Sequence, residues 1–88
     1  MKGITLIECE AWSESPNAGT IILSDDNAKN EALIVEALES HFDEKVRISV
    51  EIPWDENPYE DFSFDIELSR ADGPHTVQFE AQRTWIYQ

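Results

Sequence analysis

The stretch Val46-Arg47-Ile48-Ser49-Val50-Glu51-Ile52-Pro53-Trp54 decides the fold class. Val46, Ile48, Val50, Ile52 and Trp54 alternate with Arg47, Ser49, Glu51 and Pro53. Successive side chains of a strand point to opposite faces, so this period predicts a strand with one buried face. The same pattern returns twice downstream. Phe62, Phe64, Ile66 and Leu68 alternate with Ser63, Asp65, Glu67 and Ser69, and Val77, Phe79 and Ala81 alternate with Gln78, Glu80 and Gln82. The last run continues towards Trp85 and Tyr87. Arg83 falls on its apolar side, which predicts a bulge there or the end of the covered region. Asp72-Gly73-Pro74 turns the chain between the two runs. Connections this short make the three strands an antiparallel meander.

Working upstream, Ser24-Asp25-Asp26-Asn27 is a helix-start signature. Each residue can cap open amide groups, and two negative charges suit the positive end of a helix dipole. The helix is expected from Asp26 to Phe42. Ile34, Leu38 and Phe42 recur every fourth residue beside Val35, giving one apolar stripe, with Lys29, Glu36, Glu39 and Ser40 on the opposite side. Leu33 lies off the stripe and is expected to be exposed. Asp43 and Glu44 oppose the dipole and predict a sharp stop. Before the helix, residues from Ile4 to Trp12 read as a strand, Ser13 to Gly19 as a turn cluster, and Thr20 to Leu23 as a second strand in a hairpin with the first. Ile4, Leu6, Glu8, Glu10 and Trp12 share one face of the first strand and Thr5, Ile7, Cys9 and Ala11 the other. Both faces are partly apolar, which suits a central strand. The reading is an α+β domain, ββαβββ along the chain. One helix packs across one face of an antiparallel sheet, and the other face is largely polar.

Eighty-eight residues make one domain, 1–88, because a chain this short cannot divide its core. Three Trp, four Phe and two Tyr can fill that core, and 41% hydrophobic content with clear periodicity is not a disordered composition. One cysteine excludes an intramolecular disulfide. No apolar run approaches the ~20 residues of a membrane span, and the apolar positions after Met1 are too few for a signal-peptide core. Cytoplasmic residence is therefore expected, with no membrane contact.

Nineteen Asp and Glu against six Lys and Arg give a net charge of −13. A field of that sign repels nucleic acid and anionic lipid and steers basic partners inward. The six basic residues are scattered, so direct nucleic-acid binding has no electrostatic source.

Catalysis finds little to work with. The histidines are His41 and His75, and Cys9 sits on a small, apolar strand face where a buried, inert thiol is the ordinary reading. Three scattered glycines make no phosphate loop. Asp65 and Glu67 could serve as acid and base in principle, but a sheet face offers little depth. Asp55, Asn57, Tyr59 and Asp61 start like a calcium loop, and the pattern fails at Glu60, where glycine is needed, and at Ile66, where a bidentate Glu is needed. No enzyme, cofactor or metal site is expected.

The arrangement of acid is the remaining signal. Glu51, Asp65, Glu67 and Glu80 fall on the outward phase of the last three strands, and the adjoining loop adds Asp55, Glu56, Glu60 and Asp61. Alternate residues of a strand project about 6.5–7 Å apart. That step is close to the separation of successive phosphates on one nucleic-acid strand. Trp54, Pro58, Tyr59 and Phe62 bracket the acids, and large aromatics ringed by charge suit a binding hot spot. Trp54 and Phe62 also fit the buried phase of their strands, which leaves Tyr59 the freer anchor. In size and charge the chain resembles the small acidic inhibitors that phages and mobile elements direct against CRISPR or restriction complexes, several of which imitate nucleic acid. The resemblance covers no motif. It implies an inhibitor that occupies a basic nucleic-acid-binding surface of a partner protein or complex. An immunity protein or antitoxin against a basic toxin would use the same surface, whereas a structural or adaptor subunit would use an apolar one such as that around Leu33. In so small a sheet an edge strand could also pair two copies.

Overall fold

The computed structural model describes residues 1–9, 17–54 and 60–87 and forms them into five strands and one helix. In chain order these are β1 (Lys2–Glu8), β2 (Asn17–Ile22), α1 (Asn27–Phe42), β3 (Val46–Ile48), β4 (Phe62–Arg70) and β5 (Gly73–Trp85). The order is ββαβββ, as the alternation predicts. All neighbours are antiparallel, and across the sheet the strands run β2-β1-β5-β4-β3. The expected hairpin and the expected meander both form. They are joined by the first and last strands, with Lys2 opposite Trp85 and Glu8 opposite Phe79. The joint extends to the ends: the Met1 amino group donates to Ile86 O at 2.8 Å, and Ile86 N–H donates to Met1 O at 2.8 Å.

Register brings one alternate set of apolar residues from each strand to a common face. Ile4, Leu6, Ile21, Phe64, Ile66, Leu68, Phe79 and Ala81 form the floor of the core, and Ile34 and Leu38 of α1 close it from above. Phe64 and Phe79 face each other in register with rings stacked at 6.1 Å. Gly3 is buried where β1 passes β2. A Cβ there would lie 2.6 Å from Ile86 Cδ1 and 2.9 Å from Ile21 O, so the chain closes only without a side chain.

The helix starts and stops where its ends predict. Asp26 is the N-cap, accepting from Lys29 N–H at 3.3 Å, and Asp43 ends the helix in the left-handed conformation at φ 54°. One part of the expected helix face is corrected. Glu39 is half-buried and accepts from Val46 N–H at 3.1 Å, which ties the helix to the strand that follows. Asn30 sits in the apolar phase, four residues before Ile34, and is 1% exposed. Its Oδ1 accepts from Ser24 N–H at 2.9 Å and its Nδ2 donates to Ser24 O at 2.9 Å, so the buried amide serves the turn that leads into the helix.

Three local expectations change. The strand expected from Val46 to Trp54 ends at Ile48. Ser49 N–H and Oγ–H both donate to Asp65 O, at 3.1 and 3.2 Å, and the chain bends away at Val50, which is 41% exposed. Pro53 has no N–H for a ladder, so leaving it costs little there. Ile52 turns over the core at 4% exposure, and Trp54 meets Phe62 edge-on at 5.5 Å. β1 is shorter than expected, ending at Glu8, and residues 10–16 lie outside those described. Cys9 is exposed at the end of β1, because its phase, shared with Thr5 and Ile7, faces away from the core. At Arg83 the β1–β5 ladder runs on unbroken, so the covered region ends there without a bulge. No described helix is long and apolar enough to cross a membrane.

Candidate functional site

The helix covers one face of the sheet, and no described helix or strand packs on the other. That uncovered face is built by the alternate positions of each strand. Thr5 and Ile7 come from β1, Thr20 and Ile22 from β2, and Arg47 from β3. Ser63, Asp65 and Glu67 come from β4, and Gln78, Glu80 and Gln82 from β5. Its acids lie along the β4–β5 ladder. Glu80 pairs with Ser63 and Asp65 with Gln78, so Glu80 and Asp65 are diagonal neighbours. Asp65 and Glu67 are then two residues apart on one strand. Diagonal cross-strand positions are about 7–8 Å apart and alternate positions about 6.5–7 Å, so the three acidic positions form one row with a near-constant backbone step.

The row is not all free charge. Glu67 is opposite Arg47, and the Arg47 guanidinium bonds its carboxylate. Glu80 Oε1 accepts from Gln82 Nε2 at 3.1 Å. Asp65 has its backbone carbonyl committed to Ser49, and among the described residues no cation pairs with the carboxylate of Asp65 or of Glu80. All three side chains are half-buried by their sheet neighbours while remaining open from above.

The other residues singled out by sequence separate into groups. Glu51 is exposed but stands off the sheet, in the segment after β3 ends, so it does not extend the row. Asp61 and Glu60 are exposed and have a structural task. Asp61 Oδ1 accepts from Arg83 N–H at 2.7 Å, and Glu60 O accepts from Arg83 Nε–H at 2.7 Å. The Arg83 guanidinium thereby lies over the Phe62 ring, 5.4 Å from its centre. Trp54 is half-buried against the core at Phe62. Asp55, Glu56 and Tyr59 lie outside the described residues, as does the start of the stretch compared with a calcium loop.

Among the described residues no cluster of three or more His, Cys, Asp or Glu side chains could hold a metal ion. Ion pairs elsewhere are peripheral. Arg70 holds Glu44 through two bonds of 3.0 Å, and that hydrogen bonding keeps the Glu44 carboxyl below the usual glutamate range. His75 Nε2 lies 3.1 Å from Asp72 Oδ1, and this hydrogen bond lowers Asp72 likewise. His41, in the last turn of α1, is half-buried. It lies 3.7 Å from Glu8 and edge-on to Phe42 and Phe79. A hollow of about 440 Å³ beside the helix start is lined by Lys2, Asp25, Asn27, Trp54 and Arg83 among others. Trp54 Nε1 and Arg83 Nη2 are buried there without hydrogen-bond partners, and both are sealed from solvent, so neither faces an entering ligand.

No protein-family model, no curated protein and no solved structure matches this chain.

Proposed function

We propose that this chain is a binding protein that blocks a basic, nucleic-acid-binding surface of a partner protein. The observation that carries this reading is the row Glu80–Asp65–Glu67 on the uncovered sheet face, stepped near the spacing of backbone phosphates. A sheet is a stiff support, so the carboxylates meet an Arg- or Lys-lined groove already spaced. Little ordering cost then falls on the bound state. The net charge of −13 adds long-range steering towards such a groove and away from nucleic acid itself. Competition follows directly: a groove filled by this row cannot hold a phosphate backbone. The acids of the loop before β4, Asp55 and Glu56, and the ring of Tyr59 extend the same contact in this reading.

The test uses the purified chain as bait at low and moderate salt, beside a variant with Asp65, Glu67 and Glu80 all changed to Lys. The reading requires a captured basic protein that added DNA or RNA releases, and no capture by the variant. Capture that survives the triple reversal with unchanged salt dependence would overturn it. A single toxin held through high salt and indifferent to nucleic acid would replace it with the immunity reading.

A further inference from the structure

We propose that β2 and the groove beside it form the contact between two copies of this chain. β2 is an edge strand, paired on one side by β1. Leu23 N–H bonds Lys2 O at 2.8 Å, and antiparallel ladders alternate their bonded pairs. Ile21 and Gly19 therefore direct their amides to β1, and Thr20 and Ile22 direct theirs outward, where no described strand meets them. Open N–H and C=O groups in this geometry specify another strand as their occupant. A bulge at Ala18, where Leu6 pairs with Gly19 and Ile7 with Asn17, limits the usable edge to its second half.

Charge admits a second copy along this edge and opposes it along the acidic faces. Residues 17–23 contain no ionisable side chain in a chain of net −13. Two copies repel through most surfaces, and along this edge no like charges meet. Pairing β2 with its own equivalent about a two-fold axis at Ile21 places Thr20 of one copy opposite Ile22 of the other. Each copy then gives two N–H donors and takes two. The side chains agree with the backbone. On the helix side of β2 runs a groove of about 400 Å³ whose lining includes Ile21, Leu33 and Ala37, with Glu36 at its rim, and on the uncovered side of the same strand stands Ile22. Ile22 is 43% and Leu33 38% exposed, the apolar excess a second copy would cover. Copies joined this way share one continuous sheet, with both acidic rows on the same side.

This contact does not depend on the acidic row, and its salt response has the opposite sign. Screening relieves repulsion between two anionic copies, so added salt tightens the dimer, whereas it weakens binding to a basic partner. The experiment is sedimentation velocity of the full chain from micromolar to near-millimolar concentration, at low and raised salt. Expected is a monomer–dimer equilibrium that shifts to dimer with concentration and with salt. The Thr20 and Ile22 amides should exchange more slowly as dimer forms. Ile22→Lys and Leu33→Lys should each weaken the dimer at least about tenfold, equivalent to ~1.4 kcal/mol, with the monomer's circular dichroism unchanged. A monomer under every condition overturns the proposal. So does a dimer that salt dissociates, or one whose Thr20 and Ile22 amides exchange no more slowly than in the monomer. The exchange measurement uses the unaltered chain, so it decides even where a variant fails to fold.

Discussion

Arg47 and Glu67 stand opposite each other across the β3–β4 ladder, and their side chains join as an ion pair on the uncovered face of the sheet. The pair neutralises one end of the acidic row and leaves Asp65 and Glu80 without a paired cation among the described residues. Arg47 is 73% exposed and Glu67 27% exposed, so solvent screens the pair. Replacing Arg47 by Ala should change folding stability by no more than about 1 kcal/mol. The same variant frees Glu67 and should speed association with an arginine-rich peptide at low salt, an effect that salt removes. Stopped-flow association at two ionic strengths, beside urea denaturation, separates the two effects.

Asn30 gives a stability prediction of the opposite kind. It is the one buried polar side chain among the described residues, and its amide serves both backbone groups of Ser24. Asn30→Leu would keep similar bulk but leave Ser24 N–H and O without partners beside the core. The cost should be about 2–3 kcal/mol, a large share of the stability of so small a domain. A fall in the urea midpoint with an unchanged slope is the expected result.

Gly3→Ala should destabilise by about 1–3 kcal/mol through overpacking. Ile86 can swing its terminal methyl aside, but Ile21 O belongs to the neighbouring strand's backbone and cannot. The reduced stability should appear as faster amide exchange along β1 and β2.

The pH response near Glu44 has a definite sign. Its hydrogen bond from Arg70 lowers the folded-state pKa, so the stabilisation is complete above the unfolded value of about 4.3 and is lost as pH falls through the lower folded value. Arg70→Ala should therefore be less stable than the parent at neutral pH and converge with it in acid. Thermal melts from neutral pH to below the glutamate range would show the two curves closing. Asp72, lowered by its hydrogen bond with His75, should make His75→Ala behave in the same direction.

Much of this structure was legible in residue order. The two-residue period placed β4 and β5 and assigned Asp65, Glu67 and Glu80 to the outward face, because a strand with one covered side repeats its own environment. The cap at Asp26 and the stop at Asp43 were equally local. β3 was overread because its alternation continues through Ile52 and Trp54, although the chain has left the ladder at Ser49. Ile52 is buried by turning over the core, which an alternating pattern cannot distinguish from a strand. Asn30 carried a signal that periodicity alone passes over: a polar residue four positions before Ile34 on the apolar stripe has to find partners when buried.

Residue order by itself determined the order and type of the elements, the buried faces of β4, β5 and α1, and the sign of the field, since these follow from local geometry and summed charge. Only the tertiary structure decided that β5 lies between β1 and β4, which leaves β2 at an edge. It alone made Glu80 the diagonal neighbour of Asp65, gave Glu67 to Arg47, and turned Asp61 towards Arg83. Register between strands distant in the chain is set when all faces share one core, and no single strand carries that information.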